Sequence, residues 1–233
     1  MMDHTIPVLA GLGWLDSVGL GLLIALWLAT GIVIDRATGT RPSTHALMTR
    51  YRLIWMQRMV TRENRMFDAS MIGTMRQGTT FFASACMIGL GGTLALIGQT
   101  DLMRSLFGDL GVDTAAPRAV LEAKVLVMVL FLAIAFMRFV WSHRLFGYCA
   151  VVMAAVPNDP DDPDAYPLAE KAGKLSNQAS RAFNSGLRAI YFGLAALAWL
   201  LGPIPLILVT LAVAAMLYRR EFSSRSRAAL LEP

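Results

Sequence analysis

Charge is scarce in this chain. Of its 233 residues only 16% are Asp, Glu, Lys or Arg, where a soluble domain carries about a quarter. Histidine occurs three times, at His4, His45 and His143, and no two of these stand at a metal-ligand spacing. The two cysteines, Cys86 and Cys149, each lie inside an apolar run. There a thiol behaves as a small hydrophobe, and spacing alone sets no disulfide. The phosphate-binding glycine loop, the GxSxG elbow and the HExxH helix are all missing from the sequence. No histidine stands mid-span to hold a haem. We therefore expect no enzyme, no catalytic residue, no metal and no cofactor.

What the chain has in quantity is apolar length. Hydrophobic residues make up 56% of it, with a mean hydropathy of +0.54. This predicts an all-α, polytopic integral membrane helical bundle built as a single membrane domain over 1–233. The start, Met1-Met2-Asp3-His4, lacks a basic segment, so an uncleaved first anchor is expected rather than a signal peptide. Between Arg188 and Arg219 there are 30 residues without a charge, broken only by Gly202-Pro203-Ile204-Pro205. One straight helix of that length runs about 45 Å, against a hydrocarbon core of roughly 30 Å. The stretch is thus two short spans turning at the prolines, giving five crossings, or one long kinked helix, giving four.

The spans are expected at about 14–34, 79–98, 119–141, 182–201 and 204–218. Gly21, Ala25 and Ala29 in the first, and Ala85, Gly89 and Thr93 in the second, form small-residue lines that permit close helix contact. Residues 102–110 suit a short surface helix, and residues 145–156 a continuation of the third helix or an interfacial piece. The acidic run 158–164 resembles a calcium loop but lacks the central Gly and the distal Glu, so a stiff solvated turn is expected. Glu122, Lys124 and Arg138 sit near the ends of the third span, and His143 lies just past it. Ionisable groups in such places are candidates for a polar membrane site.

The basic residues are unevenly placed. Residues 35–78 carry arginines at 36, 41, 50, 52, 58, 62, 65 and 76. Met48, Tyr51, Trp55 and Met59 recur at helical spacing among them, which predicts a basic amphipathic cytoplasmic helix over about 44–75. With five crossings, sixteen Lys and Arg fall on one side and only Arg104 and Arg118 on the other. The positive-inside rule then puts the N-terminus in the periplasm and the C-terminus in the cytoplasm. Without a recognition motif the charge does not point to nucleic acid. It points to anionic headgroups, with Arg50, Arg58, Arg62, Arg65, Asn184 and Arg188 as candidate lipid or partner contacts. Arg188, four residues after Asn184 and inside the fourth span, needs a lipid phosphate, Asp68 or water to meet its charge.

Five strings in combination carry a family resemblance: Asn64-Arg65-Met66-Phe67-Asp68, Phe81-Phe82-Ala83-Ser84, Trp141-Ser142-His143-Arg144-Leu145-Phe146, the ten residues from Phe183 to Phe192, and Tyr218-Arg219-Arg220-Glu221-Phe222. The chain resembles, over nearly its whole length, the bacterial and plant membrane proteins catalogued as domain of unknown function 599. The resemblance implies a multi-spanning protein of the bacterial inner membrane and implies no substrate, cofactor or reaction. From the residues, the first expectation is a structural or accessory membrane protein that packs against a membrane-protein partner or its own copies and against anionic lipids. The second is a small oligomeric transporter or channel, with a polar site near Arg188 and Asn184 and near Glu122 and Lys124.

Overall fold

The computed structural model describes residues 12–37, 41–97, 99 and 117–232. Among them there is no strand. The helices are α1 (Trp14–Arg36), α2 (Thr44–Val60), α3 (Met66–Leu96), α4 (Arg118–Ala154), α5 (Ala165–Leu197), α6 (Pro203–Phe222) and α7 (Arg225–Leu231), with a 3-10 turn at Ala198–Leu201 between α5 and α6. Five of these segments are long and apolar enough to cross a membrane: α1, α3, α4, α5 with its 3-10 turn, and the segment that begins at Pro203. The surface side chains agree. Val18, Leu28 and Ile32 of α1, Ile88 of α3 and Leu208 of α6 are exposed. Exposed large apolar side chains along the span-length helices suit hydrocarbon as the solvent. The protein is a polytopic helical membrane protein. The expected surface helix at 102–110 lies outside the described residues.

Two chain breaks decide the architecture. The first is at Gly202, whose φ of 124° and ψ of 172° are open only to glycine. Its amide bonds back to the carbonyl of Trp199 at 3.0 Å. Pro203 then starts α6 at the first helical position, where its missing N–H costs nothing. The long apolar stretch is therefore two helices, and the reading with one long kinked helix is set aside. The second break corrects the amphipathic helix expected over 44–75. That helix ends at Val60, and α3 begins at Met66. Asn64 causes the restart: its side chain accepts the Met66 amide at 2.8 Å. A local side-chain bond of this kind competes with continued helix. Residues 145–156 largely continue α4, which runs unbroken to Ala154.

The chain forms two compact units, and α1, α3, α4, α5 and α6 contribute to both. One comprises Met1–Ile32, Cys86–Ala135 and Arg188–Tyr218; the other comprises Val33–Ala85, Phe136–Leu187 and Arg219–Pro233. In the first, Trp27 meets Phe131 edge-on at 5.2 Å between ring centres. Gly193 lets that phenylalanine approach its helix: a Cβ there would stand 3.0 Å from the Phe131 Cβ. The second unit has a continuous apolar core that includes Met56, Met59, Ile72, Phe146 and Met153. Ala165, Ala169, Ala172 and Ala179 put a small-residue edge of α5 into it. Phe82, Phe139 and Phe183 pack together with ring centres 5.3–5.5 Å apart.

Candidate functional site

Three polar groupings stand out, and they differ from the constellation expected from sequence. The first belongs to the Gly202 turn. Asp16 lies in the first turn of α1 and Lys124 in the second turn of α4. Their charged atoms are 3.5 Å apart, with side chains 14% and 9% exposed. Trp199 joins them. Its indole N–H donates to Asp16 at 2.6 Å, and its carbonyl accepts from the Lys124 ammonium at 3.1 Å. The ammonium also stands 5.5 Å from the centre of the indole ring. Lys124 thereby shares the Trp199 carbonyl with the Gly202 amide, which ties the ammonium to the turn itself. This cluster was missed from sequence, although a signal existed. With five crossings, the starts of α1 and α4 and the end of α5 face the same side. Opposite charges at the two starts, with a Trp at the end, then fall together.

The second grouping is the outer face of α2. Ser43 starts this helix by accepting the Ala46 amide at 3.2 Å, while its own hydroxyl donates to the Ile34 carbonyl. The Glu221 carboxylate accepts the His45 amide at 3.1 Å. A carboxylate among these first amides is stabilised by the helix dipole. Held in this way, α2 exposes Arg50, Tyr51, Ile54 and Arg58. Positions 50, 54 and 58 recur every four residues and share one face.

The third is a pocket of about 330 Å³ lined by Arg52 of α2, Met75 and Gly78 of α3, Phe146 of α4, and Ser180, Phe183 and Asn184 of α5. Arg52 reaches the Asn177 side-chain oxygen at 3.5 Å, and the Asn177 amide donates to the Thr49 carbonyl at 3.1 Å. The Nε of Arg52 is buried without a partner. Among the described residues no carboxylate pairs with this guanidinium, and burial pushes it down to about 10. Asn184 meets the His45 Nδ1 at 3.1 Å. The pocket thus joins a cation and amide groups to an apolar wall.

The remaining expected site residues are dispersed. Arg62 pairs with Asp68, which also accepts from the Trp55 indole. Arg65 is turned inward, its two terminal nitrogens bonding the carbonyls of Val156 and Pro157 at 2.6 Å. That contact ties Arg65 to the chain just past the end of α4, while Arg62 keeps an exposed side chain beside its partner Asp68. Arg188 is only 5% exposed, with Gly31 beside its guanidinium. It is therefore not held out in water. Glu122 pairs with Arg118 one turn away, at 2.7 Å. Arg138 is exposed. His143 touches Thr79 and Thr80 through Nδ1 and Arg76 through Nε2, at 3.2–3.3 Å. So Glu122 and Lys124 do not form one polar site: each has its own partner of opposite charge. The acidic run closes through short side-chain-to-backbone turns, Asp159 onto the Asp161 amide and Asp162 onto the Asp164 amide. Both cysteines are buried thiols and form no disulfide.

No curated protein and no solved structure matches the chain. One family model does, described as "Protein of unknown function, DUF599", and it covers residues 18–226. A match that takes in every long helix, from within α1 to the end of α6, shows that the chain belongs to the DUF599 family of proteins of unknown function.

Proposed function

We propose that this protein is a structural or accessory component of the bacterial inner membrane that holds anionic lipid on helix α2. One observation carries the reading: α2 lies outside all five candidate spans, yet its exposed face combines Arg50 and Arg58 with Tyr51 and Ile54. Cation, aromatic and aliphatic side chains on one face suit the headgroup region. There the ring and aliphatic chain sink toward the acyl boundary while guanidinium groups reach phosphate. The placement of positive charge supports an N-terminus in the periplasm and a cytoplasmic α2. A membrane-protein partner, or a second copy of the chain, would use the lipid-facing helices.

The test uses the full chain, purified in neutral detergent. Anionic lipid should raise its thermal stability more than zwitterionic lipid does. Arg50→Gln with Arg58→Gln should weaken that response by about 2 kcal/mol, or roughly 30-fold in apparent lipid affinity, at about 1 kcal/mol per basic residue near the surface. An undiminished response, or an equal response to both lipids, overturns the proposal.

A further inference from the structure

The Arg52 pocket is separate in kind from the exposed face of α2. A guanidinium at a surface meets water and shared headgroups. Arg52 instead is partly withdrawn from water, and among the described residues its Nε is buried without a partner and its one hydrogen bond, to Asn177, is long at 3.5 Å. A withdrawn charge that lacks a counter-charge is costly, because the loss of hydration is not offset by Coulomb attraction. A bound oxyanion would supply the missing partner.

The rest of the lining limits what that oxyanion is attached to. Phe146, Met75 and Phe183 form an apolar wall, while Ser180 and Asn184 offer polar groups. Asn184 has one amide contact, with His45, and an amide carries two N–H groups and an oxygen. A guanidinium fork together with an amide matches the planar or tetrahedral oxygens of a carboxylate or phosphate. The lining holds a single basic side chain, which matches a single negative charge; a dianion would carry a surplus charge into a largely apolar wall. At about 330 Å³ the pocket is at the small end of ligand sites, so it takes a head and the first part of a chain, not a whole bilayer lipid.

We propose that this pocket binds a monoanionic amphiphile, with the oxyanion on Arg52 and Asn184 and the hydrocarbon beginning against Phe146, Met75 and Phe183. The shared chemistry is one carboxylate or phosphodiester charge on an apolar body. Its source is a free fatty acid or the headgroup of a membrane phospholipid. The inference goes beyond the lipid-surface reading of α2 and stands without it.

Native mass spectrometry and thermal unfolding of the full-length protein in neutral detergent test it. The probes are decanoate, short-chain phosphatidylglycerol, and the uncharged decanol as control. We expect one tightly bound molecule per chain of at least one of the two anions, and no saturable site for decanol. Saturation by decanoate alone assigns the fatty-acid source, and saturation by phosphatidylglycerol alone assigns the phospholipid. Arg52→Gln should lower the affinity at least tenfold, with Arg52→Lys between it and the parent. Gly78 gives a second variant that leaves the charge in place. Gly78 lines the pocket and a Cβ there meets nothing within 4 Å, so Gly78→Leu, which adds apolar bulk at the lining, should also abolish the tight site. Arg50→Gln with Arg58→Gln should leave this site intact, which separates its failure from that of the α2 reading. Equal binding of either anion by the parent, Arg52→Gln and Gly78→Leu overturns the proposal. So does the lack of a one-per-chain site for both anions.

Discussion

Replacing Lys124 by Met while Asp16 stays in place should be among the most damaging single exchanges outside the apolar core. The two charges are 3.5 Å apart with little water access. At an effective dielectric near 20, Coulomb's law gives an attraction of about 5 kcal/mol, most of which offsets the loss of hydration of the pair. Removing one partner forfeits the attraction and leaves the other charge stranded, at a typical cost of about 3–5 kcal/mol. For a chain of this size that corresponds to a fall in Tm of roughly 10 °C. Asp16→Asn with Lys124→Met strands neither charge, and the asparagine keeps an acceptor for the Trp199 indole. The double variant should therefore lose only about 1–2 kcal/mol, less than either single exchange. Thermal unfolding of parent, both singles and the double in one neutral detergent gives the coupling energy directly. If the two single losses add up to the double loss within about 0.5 kcal/mol, the pair carries no structural charge coupling and the account of the cluster is wrong.

Gly202→Ala should lower stability by about 1–3 kcal/mol, because a φ of 124° is strained for any residue with a Cβ; thermal unfolding measures it, and a neutral effect means the α5–α6 turn has another geometry. Gly186→Ala places a Cβ 2.9 Å from the Phe139 ring and should cost about 1–3 kcal/mol in the same assay, whereas Gly91→Ala, with nothing within 4 Å, should be neutral or slightly stabilising. Cys86 and Cys149, both buried, should resist alkylation in the folded protein and react fully after denaturation; rapid native labelling would refute their placement. A reporter fused after Pro233 should be active in the cytoplasm and silent in the periplasm, and the reverse result would overturn the charge-based orientation.

Much of the fold was legible because it depends on covalent and solvent constraints that act locally. Apolar runs of span length, and a Gly-Pro pair in an uncharged stretch, mark five helices without knowledge of their partners. The break at Asn64 was harder to see. Met48, Tyr51, Trp55 and Met59 keep helical spacing almost up to it, and one Asx-type bond sets where the next helix restarts. Site residues were less legible still. Eight arginines between 36 and 76 look alike as letters. Tertiary packing sorts them: Arg50 and Arg58 outward, Arg62 onto Asp68, Arg65 onto carbonyls, and Arg52 into a pocket. Burial of a long side chain depends on which helix lies across it, which no local pattern encodes. Asp16 and Lys124, by contrast, were within reach once the number of crossings was fixed.

The turn at Gly202 also constrains how the chain is made. A single residue separates the 3-10 end of α5 from the first residue of α6. No loop of useful length exists between these two arms, so the translocation machinery has nothing to thread across the bilayer between them. The two arms are thus suited to partition into lipid together, as a helical hairpin, with the polar first half of α5 and Arg219 and Arg220 left on one and the same side. One backbone torsion thus couples the membrane entry of these two arms.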